Sequence, residues 1–387
     1  MTNSQAAEKD APFRIALMLP RLSRYGGVEQ FGWHFAQALA RKGHMVEFIC
    51  ARQEGTPPEG VRVRRVGRPP GLRFMKMLWF LIRAERIRKS GDYDVCVSLG
   101  KTWKQDIFRA GGGPLRGFWK LSQQAWEPGL PRLLKKCSRL LQPANWLILF
   151  LERRIYRQTP HLVAISDAVG KWVLEAYPHL SDPESQQRLH TIYNCPDLSR
   201  YHAPTSAQRE AARAGLGVEA GRYAIGIATT NFVLKGLAPL IRSLPLLEAD
   251  THLHVAGGRK SRRYERLAVA LGLEGRVHFH GKLKDMRGFY HALDMFVLPS
   301  FYDTLANVVL EAMSSGVKTL CSDRAGACAF LPGDQIIDEP SDPVALAGKI
   351  RALRAKEEIV PFVSKGAGID DLVALVEQVA EQKRGGA

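Results

Sequence analysis

Apolar residues along this 387-residue chain fall into two kinds of run. The first kind is short and nearly continuous: Phe13–Leu19, Val46–Cys50, Asp94–Ser98 and His161–Ile165. Runs of that length match strands buried on both faces of a parallel sheet. The second kind is longer and amphipathic. Val28 to Lys42, between a Gly26-Gly27 turn and Gly43, predicts a helix that follows the first strand. The pattern restarts at Tyr223–Ile227, with a helix over Leu237–Leu247 and a strand at Thr251–Val255. Helices over Lys260–Leu271 and Arg287–Leu293 then separate strands at Arg276–Phe279, Met295–Leu298 and Lys318–Cys321.

Strand and helix in alternation, twice over, predict an α/β chain of two Rossmann-like domains facing a central cleft. The expected division is residues 11–192 and residues 193–368, with Pro196 and Pro204 in the linker. Residues 1–10 are expected to be disordered, and 369–387 to form a C-terminal helix packing back towards the N-terminal domain. Ligands of such a pair bind where the carboxyl ends of the strands meet.

Composition narrows the class. Hydrophobic content of 45% and charged content of 24% are those of a globular protein. Met1 to Asp10 is polar and unlike a secretory leader, and the longest apolar run, Trp146–Leu151, is far short of the roughly 20 residues that cross a bilayer. The expected location is therefore cytoplasmic. The six cysteines are scattered without a C-x-x-C pair, which points to reduced thiols and no metal site.

Charge adds one more feature. The net charge is +17, and residues 101–160 hold 12 Lys and Arg against 3 Asp and Glu, together with four of the seven tryptophans. Trp119, Lys135, Lys136 and Arg139, among short leucine pairs, suit an anionic membrane surface at the inner face of the cytoplasmic membrane. A solvated basic helix is the plainer reading. RNA binding uses similar residue types, but no recognised nucleic-acid motif accompanies them, so no nucleic acid is expected as a partner.

The most informative chemistry lies in Leu298–Met313. A strand ends at Pro299-Ser300, a turn holds Asp303, and a helix is expected to begin near Thr304. Free N–H groups at Leu305, Ala306 and Asn307 would then offer a diphosphate site. Asp303 and Glu311, eight residues apart, project to roughly the same side and suit sugar hydroxyls. Glu311 sits within the apolar run Val308–Met313, where an unpaired carboxylate is costly, and this favours a ligand role.

This stretch resembles the carboxylate-seven-carboxylate signature of family 4 glycosyltransferases, of GT-B fold and retaining stereochemistry. The resemblance implies that Asp303, where the family usually has Glu, holds donor-sugar hydroxyls and that Glu311 holds the ribose. Asn231-Phe-Val-Leu-Lys-Gly236 resembles the family's basic loop, with Lys235 on the diphosphate and Leu234 where many members carry a second cation. Gly26-Gly27 resembles the family's N-terminal glycine loop, and Ile165-Ser166 and Tyr193-Asn194 also match family positions. Gly100–Gly111 is similar to the acceptor-side segment of lipopolysaccharide core glycosyltransferases, such as the heptose glucosyltransferases. Asp106 and Arg109 are the acceptor-side candidates there, for acceptor contact or for local structure.

The resemblance thus implies catalysis by Asp303, Lys235 and Asp106, and donor binding by Gly26, Gly27, Asn231, Lys235, Asp303, Thr304, Leu305, Ala306, Asn307 and Glu311. The implied substrates are a nucleotide sugar, on resemblance UDP-linked, and a glycolipid acceptor, with no cofactor and no metal. Gly112 and Leu115 stand where relatives carry Asp or His, so no base is carried over. A capsule, exopolysaccharide or phospholipid-linked acceptor is the alternative within the family. A sugar-nucleotide or membrane-binding scaffold without turnover is the alternative outside it.

Overall fold

The computed structural model describes residues 11–258 and 260–385. The expectation of a disordered segment at 1–10 lies outside the described residues. Two parallel sheets organise the chain. The first contains β1 (Arg14–Met18), β2 (Met45–Cys50), β3 (Val61–Arg65), β4 (Val95–Ser98), β5 (Ile107–Ala110), β6 (His161–Ala164) and β7 (Leu189–Thr191), in the order β3-β2-β1-β4-β5-β6-β7. The second contains β8 (Tyr223–Ala228), β9 (Thr251–Ala256), β10 (Val277–Gly281), β11 (Met295–Leu298), β12 (Lys318–Ser322) and β13 (Ile336–Ile337), in the order β10-β9-β8-β11-β12-β13.

Each order reverses direction once, between β1 and β4 and between β8 and β11. At such a switch the loops after neighbouring strands run to opposite faces and leave a crevice. The predicted strands form at their expected places. The strands that hydrophobic runs did not signal are β3, β5, β7 and β13. Three of these are short or alternate with arginines, as in Val61-Arg-Val-Arg-Arg65 on an edge. The fourth, β5, is apolar except for Arg109.

Seven helices matter for the site: α1 (Gly27–Arg41), α2 (Arg73–Ser90), α3 (Leu115–Ser122), α4 (Leu130–Leu140), α5 (Pro143–Gln158), α6 (Asn307–Ser314) and α7 (Ile369–Gly385). The first buries Phe31, Trp33, Phe35 and Leu39 against the first sheet. It starts at Gly26, whose φ of 98° is open to glycine and costly for other residues. Packing is tight at Gly32, where a Cβ would lie 3.0 Å from the Leu99 side chain and 3.3 Å from that of Leu19.

The last helix leaves the second half and returns to the first. Leu372, Val373, Val376 and Val379 join the core formed by Ile15, Phe35, Val97 and Ile107. Polar contacts fasten it there: Glu377 accepts from His44 and Lys42 at 3.0 Å each, and Arg384 pairs with Asp94 at 2.8 Å.

The halves touch across the cleft. Tyr302 Oη donates to the Gly112 carbonyl at 2.7 Å, stacks on Trp172 at 4.5 Å and meets the edge of Phe118 at 5.2 Å. Ser166 Oγ donates to the Thr304 carbonyl at 2.7 Å. No described helix is long and apolar enough to cross a membrane.

Candidate functional site

The two switch points face one cavity of about 540 Å³. From the first half it is lined by Gly27, Val28, Arg109, Gly111, Ile165 and Asn194. The second half supplies Thr229 and Thr230 after β8, Gly257 after β9, Lys282 and Leu283 after β10, Lys235, and the run Asp303–Val308 with Glu311.

Lys235 is positioned by its loop. The Asn231 side-chain oxygen accepts from the Leu234 N–H at 3.1 Å and closes the turn. Gly236, at φ 71°, then packs so closely on the Pro299 carbonyl that no side chain fits. The Lys235 ammonium donates to Ser300 Oγ at 3.3 Å and to the Tyr302 carbonyl at 3.1 Å, and forms an ion pair with Asp303. An ammonium offers three donors, and these contacts engage all three.

Asp303 does more than face the cavity. Its Oδ1 accepts from the Leu305 N–H at 3.2 Å and the Ala306 N–H at 2.9 Å, while Oδ2 holds Lys235. The helix therefore begins at Asn307, three residues later than expected, because Asp303 organises a turn first. Of the three N–H groups expected to be free, those of Leu305 and Ala306 are taken, and the open helix end is at Asn307 and Val308. Ala306 has φ 68° and is the sole non-glycine residue with positive φ among the described residues. Strain of that kind persists where surrounding structure over-determines it.

Glu311 lies one face further along α6, half-buried, and accepts from Tyr290 Oη at 2.8 Å. Burial, followed by the Glu311 charge, pushes the Tyr290 hydroxyl well above its ordinary pKa, so it remains a donor. Tyr201 also bears on the Glu311 carboxylate, which lines the cavity beside these two tyrosines. Tyr290 was not visible as a site residue, since it falls within an apolar helix whose register only the packing defines.

Other expected residues fall elsewhere. Asn231 is exposed and does not line the cavity; it shapes the Lys235 turn. Gly26 forms the entry to α1, and Gly27 faces the cavity. Of the two alternatives for Asp106, local structure is the one found, and its catalytic role is corrected. It precedes β5, at the amino end of the sheet and away from the cleft, where its carboxylate accepts from the Cys96 N–H at 2.7 Å and pairs with Lys383 at 3.2 Å. Its work is to fasten α7, not to touch an acceptor. Arg109, the penultimate residue of the same strand, does reach the cavity. It is 4% exposed, with its guanidinium 3.6 Å from the Phe31 ring centre.

Arg139 is also corrected as a surface cation. It is 8% exposed and donates to the Trp119 carbonyl at 3.1 Å and Ser122 Oγ at 2.8 Å, tying α4 to α3. Burial lowers its pKa. Lys136 is exposed, Lys135 lies 5.1 Å from the Trp126 ring centre, and Trp119 is half-buried. Around them Leu130, Leu133, Leu134, Leu141, Trp146 and Phe150 are all exposed by more than half.

A second cavity, of about 680 Å³, opens at the carboxyl ends of β1, β2, β3 and β4. Its wall carries Arg21, Arg52, Arg68, Arg73, Lys76 and Lys101, over Met77, Phe80, Leu81 and Ile148. Glu54 pairs with Arg21 and Arg52, and Glu152 with Lys101 at 3.2 Å. The three remaining cations have no acidic partner among the described residues.

Comparison with known proteins agrees with this geometry. A family model for "Glycosyl transferase 4-like domain" matches residues 26–195, and one for "Glycosyl transferases group 1" matches residues 224–356. The lipopolysaccharide glucosyltransferase WaaG of Escherichia coli strain K12 is 23% identical over 387 residues, 96% of this chain and 99% of that protein. The lipopolysaccharide core biosynthesis glycosyltransferase LpsD of Rhizobium meliloti is 35% identical over 159 residues; the match spans 40% of this chain and 46% of that relative. Among solved structures, WaaG superposes with a TM-score of 0.70 at 21% identity, covering 96% of this chain and 94% of that chain. Anabaena Alr3699/HepE, in complex with UDP and glucose, superposes at 0.64 with 16% identity, covering 96% and 99%.

Proposed function

The chain belongs to the family 4 glycosyltransferases, and from that premise we propose that it transfers a hexose, glucose from UDP-glucose, to a lipopolysaccharide core acceptor with retention of configuration. The observation that carries the donor half is the single cavity joining Lys235, the Asp303 turn, the open start of α6 and Glu311. Lys235 and the N–H groups of Asn307 and Val308 take the diphosphate, whose charge grows as the sugar leaves. Asp303 takes sugar hydroxyls and the Glu311 carboxylate takes the ribose. In the step itself the bond from the anomeric carbon to the phosphate oxygen breaks. A bond to the acceptor oxygen forms on the same face, and the acceptor proton passes to the leaving phosphate. In this reading Lys235 and the N–H groups at the start of α6 meet part of this charge, and no metal ion takes part.

The acceptor half rests on the basic cavity. Its unpaired Arg68, Arg73 and Lys76 over an apolar floor suit an anionic saccharide, and it opens at the same, carboxyl, end of the first sheet as the cleft. The E. coli relative is by name a lipopolysaccharide glucosyltransferase, and the Anabaena structure holds UDP and glucose; both support this donor and acceptor. The exposed leucines and tryptophan of α4 and α5, with Lys136, form a face for the anionic membrane that carries such an acceptor. The protein then works peripherally at the cytoplasmic face of that membrane.

Calorimetry with UDP-glucose tests the donor half. Glu311→Ala is expected to weaken binding at least tenfold in a protein that still melts cooperatively, and EDTA is expected to change nothing. Unchanged affinity in the variant would remove Glu311 from the donor site.

A further inference from the structure

Arg109 is a buried cation with nothing to pair with. It is 4% exposed, and its guanidinium makes no hydrogen bond or ion pair with any described residue. The Phe31 ring centre lies 3.6 Å from the guanidinium carbon. A charged group withdrawn from water without a partner is costly, and an aromatic face returns part of that cost. Burial pushes its pKa down to about 9, which leaves it a cation at neutral pH.

Room has been left for it. A Cβ at residue 111 would stand 2.6 Å from Arg109 Nη1, so the guanidinium occupies the space a side chain at Gly111 would fill. Both residues line the cleft cavity, together with Gly27, Lys235 and Asn307.

That cavity is short of positive charge. A nucleoside diphosphate brings at least two negative charges. Lys235 is neutralised by Asp303 and has its three donors engaged, and residue 234 is leucine. Lys282 is exposed at the edge. We propose that Arg109 is a ligand of the donor diphosphate, reaching it from the N-terminal half and supplying the cation that Leu234 does not. A guanidinium can hold two phosphate oxygens at once with fixed geometry. The diphosphate then bridges the halves, and the leaving group is fully held only when the cleft is closed. This rests on the donor reading above and extends it to the opposite wall of the cleft.

Calorimetry on the full chain separates the possibilities, with UDP and uridine as the two probes. Arg109→Met is expected to lose at least tenfold in UDP affinity while uridine binding stays within twofold. Arg109→Lys is expected to fall between. Gly111→Ala, which crowds the guanidinium and keeps the charge, is expected to weaken UDP likewise, and it carries the test if Arg109→Met fails to fold. UDP affinity unchanged in Arg109→Met and Gly111→Ala overturns the proposal, and a rise in acceptor KM alone would reassign Arg109 to the acceptor. A wild-type protein that binds neither UDP nor any nucleotide sugar would instead sink the donor reading itself.

Discussion

Single residues in this cleft do two jobs at once. Asp303 builds the turn before α6 with one oxygen and neutralises Lys235 with the other, so its loss disturbs both backbone and charge. Glu311 is held by Tyr290 through one oxygen, which leaves the other in a fixed direction. Tyr290→Phe removes that hold. A hydrogen bond to a charged group contributes about 1.5–3 kcal/mol, so donor affinity is expected to fall several-fold while the ring packing keeps the fold intact. Equal donor affinity in Tyr290→Phe would mean that Glu311 needs no second partner. That Lys235, Asp303 and Glu311 meet in one cavity was legible beforehand, because their spacing fixes them relative to one strand end and one helix. Asp106 was misread because no hydrophobic run marked where β5 begins, and one strand length separates the cleft end of a sheet from its floor. Arg139 was misread because a basic helix in sequence does not say which of its cations turns inward.

At the scale of elements, β9 and β10 carry an unusual pairing. His252 Nδ1 lies 3.0 Å from His278 Nε2, and His254 Nδ1 lies 3.0 Å from His280 Nε2, with rings stacked. Burial holds all four below the ordinary histidine value, and His254 is pushed down to about 3. In the unfolded chain these rings protonate near 6.5. The unfolded state therefore binds more protons as pH falls through 6.5, and the fold loses stability below that value. His254 alone would cost about 2 kcal/mol at pH 5. A drop of roughly 5 °C in melting temperature is expected between pH 7.5 and pH 5, and a flat profile over that range would show that the imidazoles are not buried as neutral pairs. Alternation along Thr251–Ala256 made these strands readable; that their histidines face one another across the ladder depends on register, which only the packing of the sheet decides.

At the scale of the whole molecule the two large sheets are joined at several places, among them the linker after β7, the Tyr302 and Ser166 contacts across the cleft, the Arg242–Glu127 ion pair, and α7, which carries the end of the chain back into the first core. The two-sheet plan was legible because each switch point is preceded by a buried strand and followed by a glycine-containing loop. The contacts between the halves were not, since they join residues far apart in sequence. The orientation of the cleft also places the exposed face of α4 and α5 on the half assigned to the acceptor. Leu133→Ser with Leu134→Ser is expected to reduce sedimentation with vesicles of phosphatidylglycerol and phosphatidylcholine by several-fold at unchanged melting temperature. If the double variant pellets as the wild type does, that face is not the membrane contact. The central claim is the transfer itself, and a single assay reaches it: purified protein, UDP-glucose labelled in the sugar, and deacylated lipopolysaccharide core, with EDTA present and Glu311→Ala alongside. The account predicts label in the oligosaccharide with retained anomeric configuration, one UDP released for each sugar moved, and little or no transfer by the variant. Label that never leaves the nucleotide, or moves equally well with Glu311→Ala, would contradict it.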